Sequence, residues 1–147
     1  MNAPLTRQST CVAVAGRGLM IEGPPGAGKS SLALALIDRG AVLVGDDGIL
    51  LEERSGSLWA MPPIQTRGLL EARNLGLVDF PVMDAPVALR LVLDPQAPRY
   101  IERAQIADIA GAEIPSLAFD PAMQPTAFRA EIALRTYGLP LPETKAG

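Results

Sequence analysis

"IEGPPGAGKSSLALALIDRGAVLVGDD", residues 21–47, contains the pattern that decides the fold. Its first part, "GPPGAGKS" at residues 23–30, matches the motif G-x-x-x-x-G-K-[ST] in full. Glycines let such a loop bend so that backbone N–H groups point at a phosphate, and the helix that follows adds its positive end. The motif therefore predicts nucleotide binding by Gly23, Pro24, Pro25, Gly26, Ala27, Gly28, Lys29, Ser30 and Ser31.

The segments around this loop predict the order strand, loop, helix, strand. Residues 11–23 indicate two short strands, and "KSSLALALIDRG" has apolar residues four apart and ends at Gly40, as helices often do. "AVLVGDD" is a short apolar run, typical of a strand buried on both faces of a sheet. Because ligands bind at the carboxyl ends of parallel strands, we expect Asp46 and Asp47 to lie beside the loop.

The residue types in this region favour phosphoryl transfer. Lys29 is expected to reach the β- and γ-phosphates, and the Ser30 hydroxyl is expected to bind Mg²⁺. One aspartate can hold Mg²⁺ through water, and the other can take a proton from an attacking hydroxyl as a general base. The alternative for the second aspartate is a solvated turn residue before Gly48. Two carboxylates with two roles would favour transfer onto an alcohol.

The remaining segments predict a single domain over residues 1–147. Residues 48–61 indicate a hairpin with a Ser-Gly turn, and residues 87–93 indicate another strand. An amphipathic closing helix is predicted within 122–138, ending at a glycine. Residues 1–9 are predicted to be a loose N-terminal lead-in.

Composition excludes several classes of function. The 147 residues are 48% hydrophobic but 4% aromatic, which predicts an aliphatic core, and the net charge of −3 argues against a nucleic-acid partner. The chain has no apolar run long enough to span a bilayer and no signal-peptide pattern at its start, so we expect a cytoplasmic protein without a membrane partner. The single cysteine, Cys11, is expected to be a small buried hydrophobe. With no histidine, the chain excludes serine–histidine triads and histidine metal sites.

A third segment carries a family resemblance. "MPPIQTRGLLEARNLGLVD" (61–79) places Glu71 and Arg73 in a glycine-rich stretch, which on its own indicates a loop with an exposed salt bridge. Together with "GPPGAGKS" and "RGAVLVGDD", however, "LEARNLGLV" (70–78) resembles the ordered motifs of HPr kinase/phosphorylase. That family phosphorylates a serine of the phosphocarrier protein HPr. The likeness covers roughly residues 8–93, and the three segments in order are more specific than the phosphate loop alone.

The resemblance implies a fold, a reaction and partners. The fold would be a P-loop-containing mixed α/β sheet related to phosphoenolpyruvate carboxykinase, with flanking helices. The chain looks like a short form that keeps the catalytic core and lacks the family's N-terminal domain. The reaction would use ATP and Mg²⁺ to phosphorylate HPr, regulating carbohydrate metabolism or the phosphotransferase system. Since the family forms hexamers, the resemblance also implies a homo-oligomer.

The resemblance also implies residue roles. Lys29 would bind phosphate, and Arg73 would stabilise charge on the transferred phosphoryl group. Asp46 and Asp47 match the aspartate pair of the family, one of which is the base in phosphorylation and the acid in the reverse reaction. The implied magnesium ligands are Ser30, Glu71 and Asp46.

Some positions depart from the family pattern. Asn74 stands in place of a signature glycine, Pro24 and Pro25 replace polar loop residues, and Ser31 replaces a common glutamate. The family's catalytic histidine would fall near Gln8, and this chain contains no histidine. Beside the protein serine kinase, two alternatives therefore stay open. One is a small-molecule P-loop kinase, although no basic cluster suited to a substrate lid follows the helix. The other is a non-catalytic ATP-binding sensor.

Overall fold

The computed structural model describes residues 3–142, which form eleven strands and two helices. The first six strands and the first helix are β1 (Leu5–Arg7), β2 (Thr10–Val14), β3 (Arg17–Glu22), α1 (Lys29–Asp38), β4 (Val42–Gly45), β5 (Ile49–Arg54) and β6 (Ser57–Met61). They are followed by β7 (Leu69–Ala72), β8 (Gly76–Asp79), β9 (Ala85–Leu93), β10 (Gln105–Ile109), β11 (Ala112–Phe119) and α2 (Thr126–Tyr137). Among these residues, no helix has the length and apolar character needed to cross a membrane.

Nine of these strands form one mixed sheet. Seven lie in the order β1-β5-β6-β9-β3-β2-β4. The other two are β11, which pairs with β9, and β10, which pairs with β11. The strands β3, β9 and β11 are parallel, whereas β2 lies between β3 and β4 and is antiparallel to both. It follows that β3 and β4 run in the same direction, so their carboxyl ends lie at the same edge of the sheet. The strands β7 and β8 form a separate hairpin.

Side chains alternate between two cores along the central strands, as a two-residue period requires. One core lies between the sheet and the helices, where Leu19 and Ile21 of β3 pack with Leu32 and Leu36 of α1. The other core, on the opposite face, includes Met20 and the side chains of the hairpin strands β5 and β6 and of β10 and β11. The two cores together bury both faces of the central strands.

Cys11 lies in the second core and is fully buried. Burial, together with the nearby Glu22 carboxylate, raises the pKa of its thiol to about 12. The thiol therefore stays protonated at neutral pH and packs as a small hydrophobe, as the sequence predicts.

Most of the expected elements are present, with shorter bounds at some ends. The first helix was predicted to end at Gly40, and this glycine donates its N–H to the carbonyl of Ile37, with φ +109°. The closing helix, predicted within 122–138, begins at Thr126 and ends at Tyr137. The predicted Ser-Gly hairpin joins β5 to β6.

The prediction of a loose lead-in over residues 1–9 was wrong for its described part. Leu5–Arg7 pairs antiparallel with β5, and Ser9 is buried. A three-residue strand has too few positions to show a hydrophobic period, so its pairing partner, more than forty residues away, could not be read from local sequence. Residues 1–2, like 143–147, lie outside the described part of the chain.

An ion-pair cluster joins three of these strands at the end of β3, directly before the loop that begins at Gly23. Glu22, the last residue of β3, accepts hydrogen bonds from Arg7 at 2.7 and 3.0 Å and from Arg90 of β9 at 2.8 Å. Burial by itself would raise the pKa of the Glu22 carboxyl, but the hydrogen bonds from both guanidiniums outweigh burial and lower the pKa below its ordinary value. The cluster therefore stabilises the folded state while Glu22 is ionised.

We predict that Glu22→Gln lowers the free energy of unfolding by about 1–3 kcal/mol at pH 7. The substitution leaves two arginines without their counter-charge, at a cost that partial exposure keeps below that of a fully buried pair. Because the folded pKa is lowered, the difference from wild type should shrink as the pH falls below about 4.3 and Glu22 becomes protonated. Urea unfolding of wild type and variant at pH 7 and at pH 3 measures this difference in the free energy of unfolding.

The matched control is Glu113→Gln, at an exposed position of β11. Its free energy of unfolding should stay within about 0.5 kcal/mol of wild type. A Glu22→Gln defect of the same size at pH 7 and at pH 3 would contradict the electrostatic explanation.

Candidate functional site

The loop between β3 and α1 is preformed by its own hydrogen bonds. Gly26 and Gly28 have φ of +80° and +103°, a region that glycine adopts without steric cost. The Lys29 ammonium group donates to the carbonyl oxygen of Gly23 at 2.7 Å and so lies across the loop. The loop opens directly into the first turn of α1, which gives it the form of a phosphate-binding loop.

The Asp46 carboxylate connects the loop to two other parts of the chain. One of its oxygens accepts hydrogen bonds from the Ser30 hydroxyl at 2.8 Å and from the Thr10 hydroxyl at 3.1 Å. The other oxygen accepts the backbone N–H of Glu71 at 3.3 Å. These contacts bring together the start of α1, the start of β2, the end of β4 and the hairpin strand β7.

Asp47 has different surroundings. It is exposed, has φ +59°, and accepts a hydrogen bond from the Gln8 amide at 3.3 Å. Its backbone N–H donates to the Thr10 hydroxyl at 3.2 Å, so one buried threonine contacts both aspartates. The turn is tight: a Cβ atom at Gly45 would collide with the carbonyl oxygen of Gly48. The preceding glycine is therefore needed for the two aspartates to turn at the end of β4.

The hairpin β7–β8 brings Glu71 and Arg73 to the loop. Its turn includes Asn74 with φ +71°, a left-handed conformation that asparagine tolerates better than most residues, so the glycine of the family signature is not required there. A cavity of about 290 Å³ lies between hairpin and loop, and we call it the phosphate cavity. Its polar lining residues are Lys29, Ser30, Ser31, Glu71, Arg73 and Asn74.

A second cavity lies on the other side of Lys29. It has a volume of about 330 Å³ and is lined by Lys29, Asp47, Gln8, Arg90 and Glu22, among others. We call it the acceptor cavity, because it exposes Asp47 beside Lys29. Since Lys29 lines both cavities, a phosphoryl group held by this lysine could be approached from either side.

The donor set fits Mg²⁺ only in part. Within residues 3–142, no group of three or more acidic, histidine or cysteine side chains is arranged to hold a metal ion by itself. Mg²⁺ is commonly held by one or two carboxylates together with substrate phosphates and water. Ser30, Asp46 and Glu71 meet that requirement if the ion arrives with a nucleotide.

Sequence reasoning identified most of these residues but missed the role of Thr10. A threonine at the start of an apolar strand gives no local sign that its hydroxyl contacts residues 36 positions away. Arg7 and Arg90 were missed for the same reason. Gln8 was singled out as the position of the family's histidine, and the structure places it against Asp47.

This fold places a loop with a phosphate-binding sequence motif after β3 and two adjacent carboxylates after β4, an arrangement typical of nucleotide-dependent α/β proteins. The family model for the HPr Serine kinase C-terminal domain matches residues 3–84, which is more than half of the chain. The chain therefore belongs to the HPr serine kinase C-terminal domain family, and the expected resemblance is confirmed.

Proteins with similar sequences are named HPr kinase/phosphorylase. The HPr kinase/phosphorylase of Clostridium tetani is 46% identical over 80 residues, which are 54% of this chain and 26% of that protein. The HPr kinase/phosphorylase of Mycoplasmopsis pulmonis is 41% identical over 71 residues, or 48% of this chain and 23% of that protein. The matched region thus spans about a quarter of the length of these relatives.

A solved structure supports the fold over most of the chain. The Hpr(Ser) kinase/phosphatase from Coxiella burnetii matches with a TM-score of 0.78 over 89% of both chains, at 24% sequence identity. The predicted mixed α/β fold is therefore confirmed.

We predict that Thr10→Val lowers the free energy of unfolding by about 1–2 kcal/mol, because the isosteric change removes the acceptor of the Asp47 amide and one of the three hydrogen bonds to the Asp46 carboxylate. The amide hydrogen of Asp47 should also exchange faster with solvent. Thr10→Ser keeps the hydroxyl and should remain closer to wild type on both measures. Equal exchange rates at Asp47 in the valine and serine variants would contradict the bridging role.

Proposed function

We propose that this chain carries the catalytic site of an Mg²⁺- and ATP-dependent serine kinase whose acceptor is the phosphocarrier protein HPr. One observation carries the proposal: Asp46 holds the phosphate loop and the Glu71–Arg73 segment against each other, with Asp47 beside them. The membership of the family and the names of the relatives support the choice of acceptor. Because the donor is ATP, we place the reaction in the cytoplasm.

The phosphate cavity would hold the donor. The loop N–H groups and Lys29 would bind the β- and γ-phosphates, and Arg73 would neutralise negative charge on the phosphoryl group during its transfer. Ser30, Asp46 and Glu71 would hold Mg²⁺, which when bound offsets the negative charge of the phosphates. The three hydrogen bonds to Asp46 keep its carboxylate oriented toward the loop, which suits a metal-binding role.

The acceptor cavity would receive the serine. Asp47 is exposed there and accepts one long hydrogen bond from Gln8, so it has capacity left to accept a proton. We therefore assign Asp47 as the general base and Asp46 to the metal. As the serine oxygen bonds to the γ-phosphorus, its proton passes to Asp47, and the bond to the bridging β–γ oxygen breaks to release ADP.

The direct test incubates the protein with γ-labelled ATP and purified HPr. We expect label on a serine of HPr, and no label with Lys29→Ala, because that variant lacks the ammonium group that binds the phosphates. Label on a small molecule instead of HPr would favour a metabolite kinase. Tight ATP binding without transfer to any acceptor would favour a sensor.

We predict that Asp47→Asn slows phosphoryl transfer by at least about 10²-fold while ATP still binds. Asp46→Asn should instead raise the Mg²⁺ concentration needed for half-maximal rate, since it removes a charged ligand. Rapid-quench assays across a Mg²⁺ titration separate the two effects. The assignment fails if Asp46→Asn abolishes transfer at saturating Mg²⁺ and Asp47→Asn leaves the rate unchanged.

The Gln8 contact bears on the reverse reaction. In phosphorolysis, inorganic phosphate attacks phosphoserine, pyrophosphate is formed, and the serine oxygen regains a proton. A second anion must then enter a region that already contains Asp46 and Asp47. Gln8 contacts Asp47 where the family has a histidine, but an amide can neither carry positive charge nor relay a proton.

We therefore predict that phosphorolysis is much slower than phosphorylation. The measurement is release of pyrophosphate from phosphorylated HPr at millimolar phosphate, beside the forward rate on the same preparation. Gln8→His should narrow the gap between the two rates. Wild-type phosphorolysis as fast as the forward reaction would show that no charged group is needed at this position.

A further inference from the structure

A third cavity adjoins the phosphate loop and has no role in the proposal so far. It has a volume of about 660 Å³ and lies between α1 and the segment that joins β11 to α2. We call it the helix cavity. Its walls are mainly apolar, formed by Ala27, Leu32, Ala35, Pro121, Pro125 and Phe128.

The helix cavity adjoins the phosphate cavity. Gly28 and Ser31 line both cavities, so the two lie next to each other at the first turn of α1. The topology explains this arrangement. Since β3, β9 and β11 are parallel, the loop after β3 and the segment after β11 leave the sheet at the same edge. Ligands of open α/β sheets bind at this edge.

The wall contributed by the segment after β11 is held in place. The Arg129 guanidinium donates to the carbonyl oxygens of Asp120 at 3.1 Å and of Met123 at 2.9 Å. The Thr126 hydroxyl also donates to the Met123 carbonyl, at 3.0 Å. These bonds fix the backbone that closes one side of the helix cavity, so the space is built before any ligand enters.

The rim of the cavity is fixed by an aromatic contact. The Arg39 guanidinium lies 5.2 Å from the ring centroid of Phe128 and donates to both carboxylate oxygens of Glu131, at 3.0 and 2.8 Å. The Phe128 ring is therefore restrained by α1 although 42% of the residue is exposed. An exposed, restrained aromatic ring at the rim of an apolar cavity offers a face on which a flat heterocycle can stack.

Size and polarity distinguish the helix cavity from the phosphate cavity. The phosphate cavity is smaller and lined by Lys29, Glu71 and Arg73, which suits charged groups and not a heterocycle. The helix cavity is mostly apolar, and its polar lining residues are Ser31, Asp38, Arg39, Gln124 and Thr126. Its volume lies in the range of about 300–1,000 Å³ typical of ligand sites.

We propose that the helix cavity binds the base and ribose of a nucleoside triphosphate whose phosphates lie on the loop. This inference rests on the proposed function only in taking a nucleotide as the donor. It assigns the part of the ligand that the phosphate loop cannot recognise, and it makes Ala35 and Phe128 determinants of nucleotide affinity.

The test compares ATP with inorganic tripolyphosphate, which carries the phosphates without base or ribose, both in the presence of Mg²⁺. Ala35→Trp fills the cavity from the surface of α1. We expect it to weaken ATP binding at least tenfold and to leave tripolyphosphate binding within about twofold of wild type, as measured by calorimetry. The control, Ala118→Trp, changes an exposed alanine of β11 outside the cavity lining and should leave both affinities unchanged.

The outcomes separate this inference from the kinase proposal. Unchanged ATP affinity in Ala35→Trp overturns the inference, as does wild-type protein that binds ATP no more tightly than tripolyphosphate. If Ala35→Trp loses both ligands, Phe128→Ala decides by the same comparison: selective loss of ATP affinity supports the site, and unchanged ATP affinity overturns it. Selective loss of ATP affinity in a protein that phosphorylates no acceptor would contradict the kinase proposal and would still support the nucleoside site.

Discussion

The arrangement of the site depends on one carboxylate. Asp46 accepts hydrogen bonds from a helix, a strand and a hairpin that are separated by 16, 36 and 25 positions in sequence. Hydrogen bonds to an ionised acceptor are stronger than those between neutral groups, and one oxygen of Asp46 accepts two of these donors at once. The phosphate loop, the aspartate pair and the hairpin are therefore positioned relative to one another by a single charged group.

This arrangement divides the space around Lys29 into two unlike environments. On the hairpin side, Ser30, Glu71 and Arg73 offer groups suited to phosphates and a cation. On the opposite side, Asp47 lies exposed beside Gln8 and Arg90. These two adjacent aspartates acquire different capacities, because the Asp46 carboxylate accepts three hydrogen bonds and the Asp47 carboxylate accepts one. Identical side chains in unlike surroundings are a common route to separate acid–base roles.

The sequence predicted the elements whose signals are local. The motif around Lys29, the cap at Gly40 and the Ser-Gly hairpin each depend on a few neighbouring residues, and the structure contains all three. Contacts between distant segments gave no such signal. The pairing of Leu5–Arg7 with β5 and the hydroxyl bridge of Thr10 arise only when the sheet is assembled, so neither could be read from the residues around them.

The Glu22 cluster ties the order of the phosphate loop to the folding of the whole sheet. Its partners lie 15 and 68 positions away, on an edge strand and on the long central strand β9. Closing loops of such length costs conformational entropy, so these contacts depend on the assembled sheet. A partly folded chain would therefore lack the support beneath the loop, however well the local G-K-S turn forms. By mass action, any ligand that needs the finished loop stabilises the entire fold and not the loop alone. In the proposed function, a bound nucleotide would therefore stabilise the folded state and lower the amount of unfolded chain that proteases can cleave.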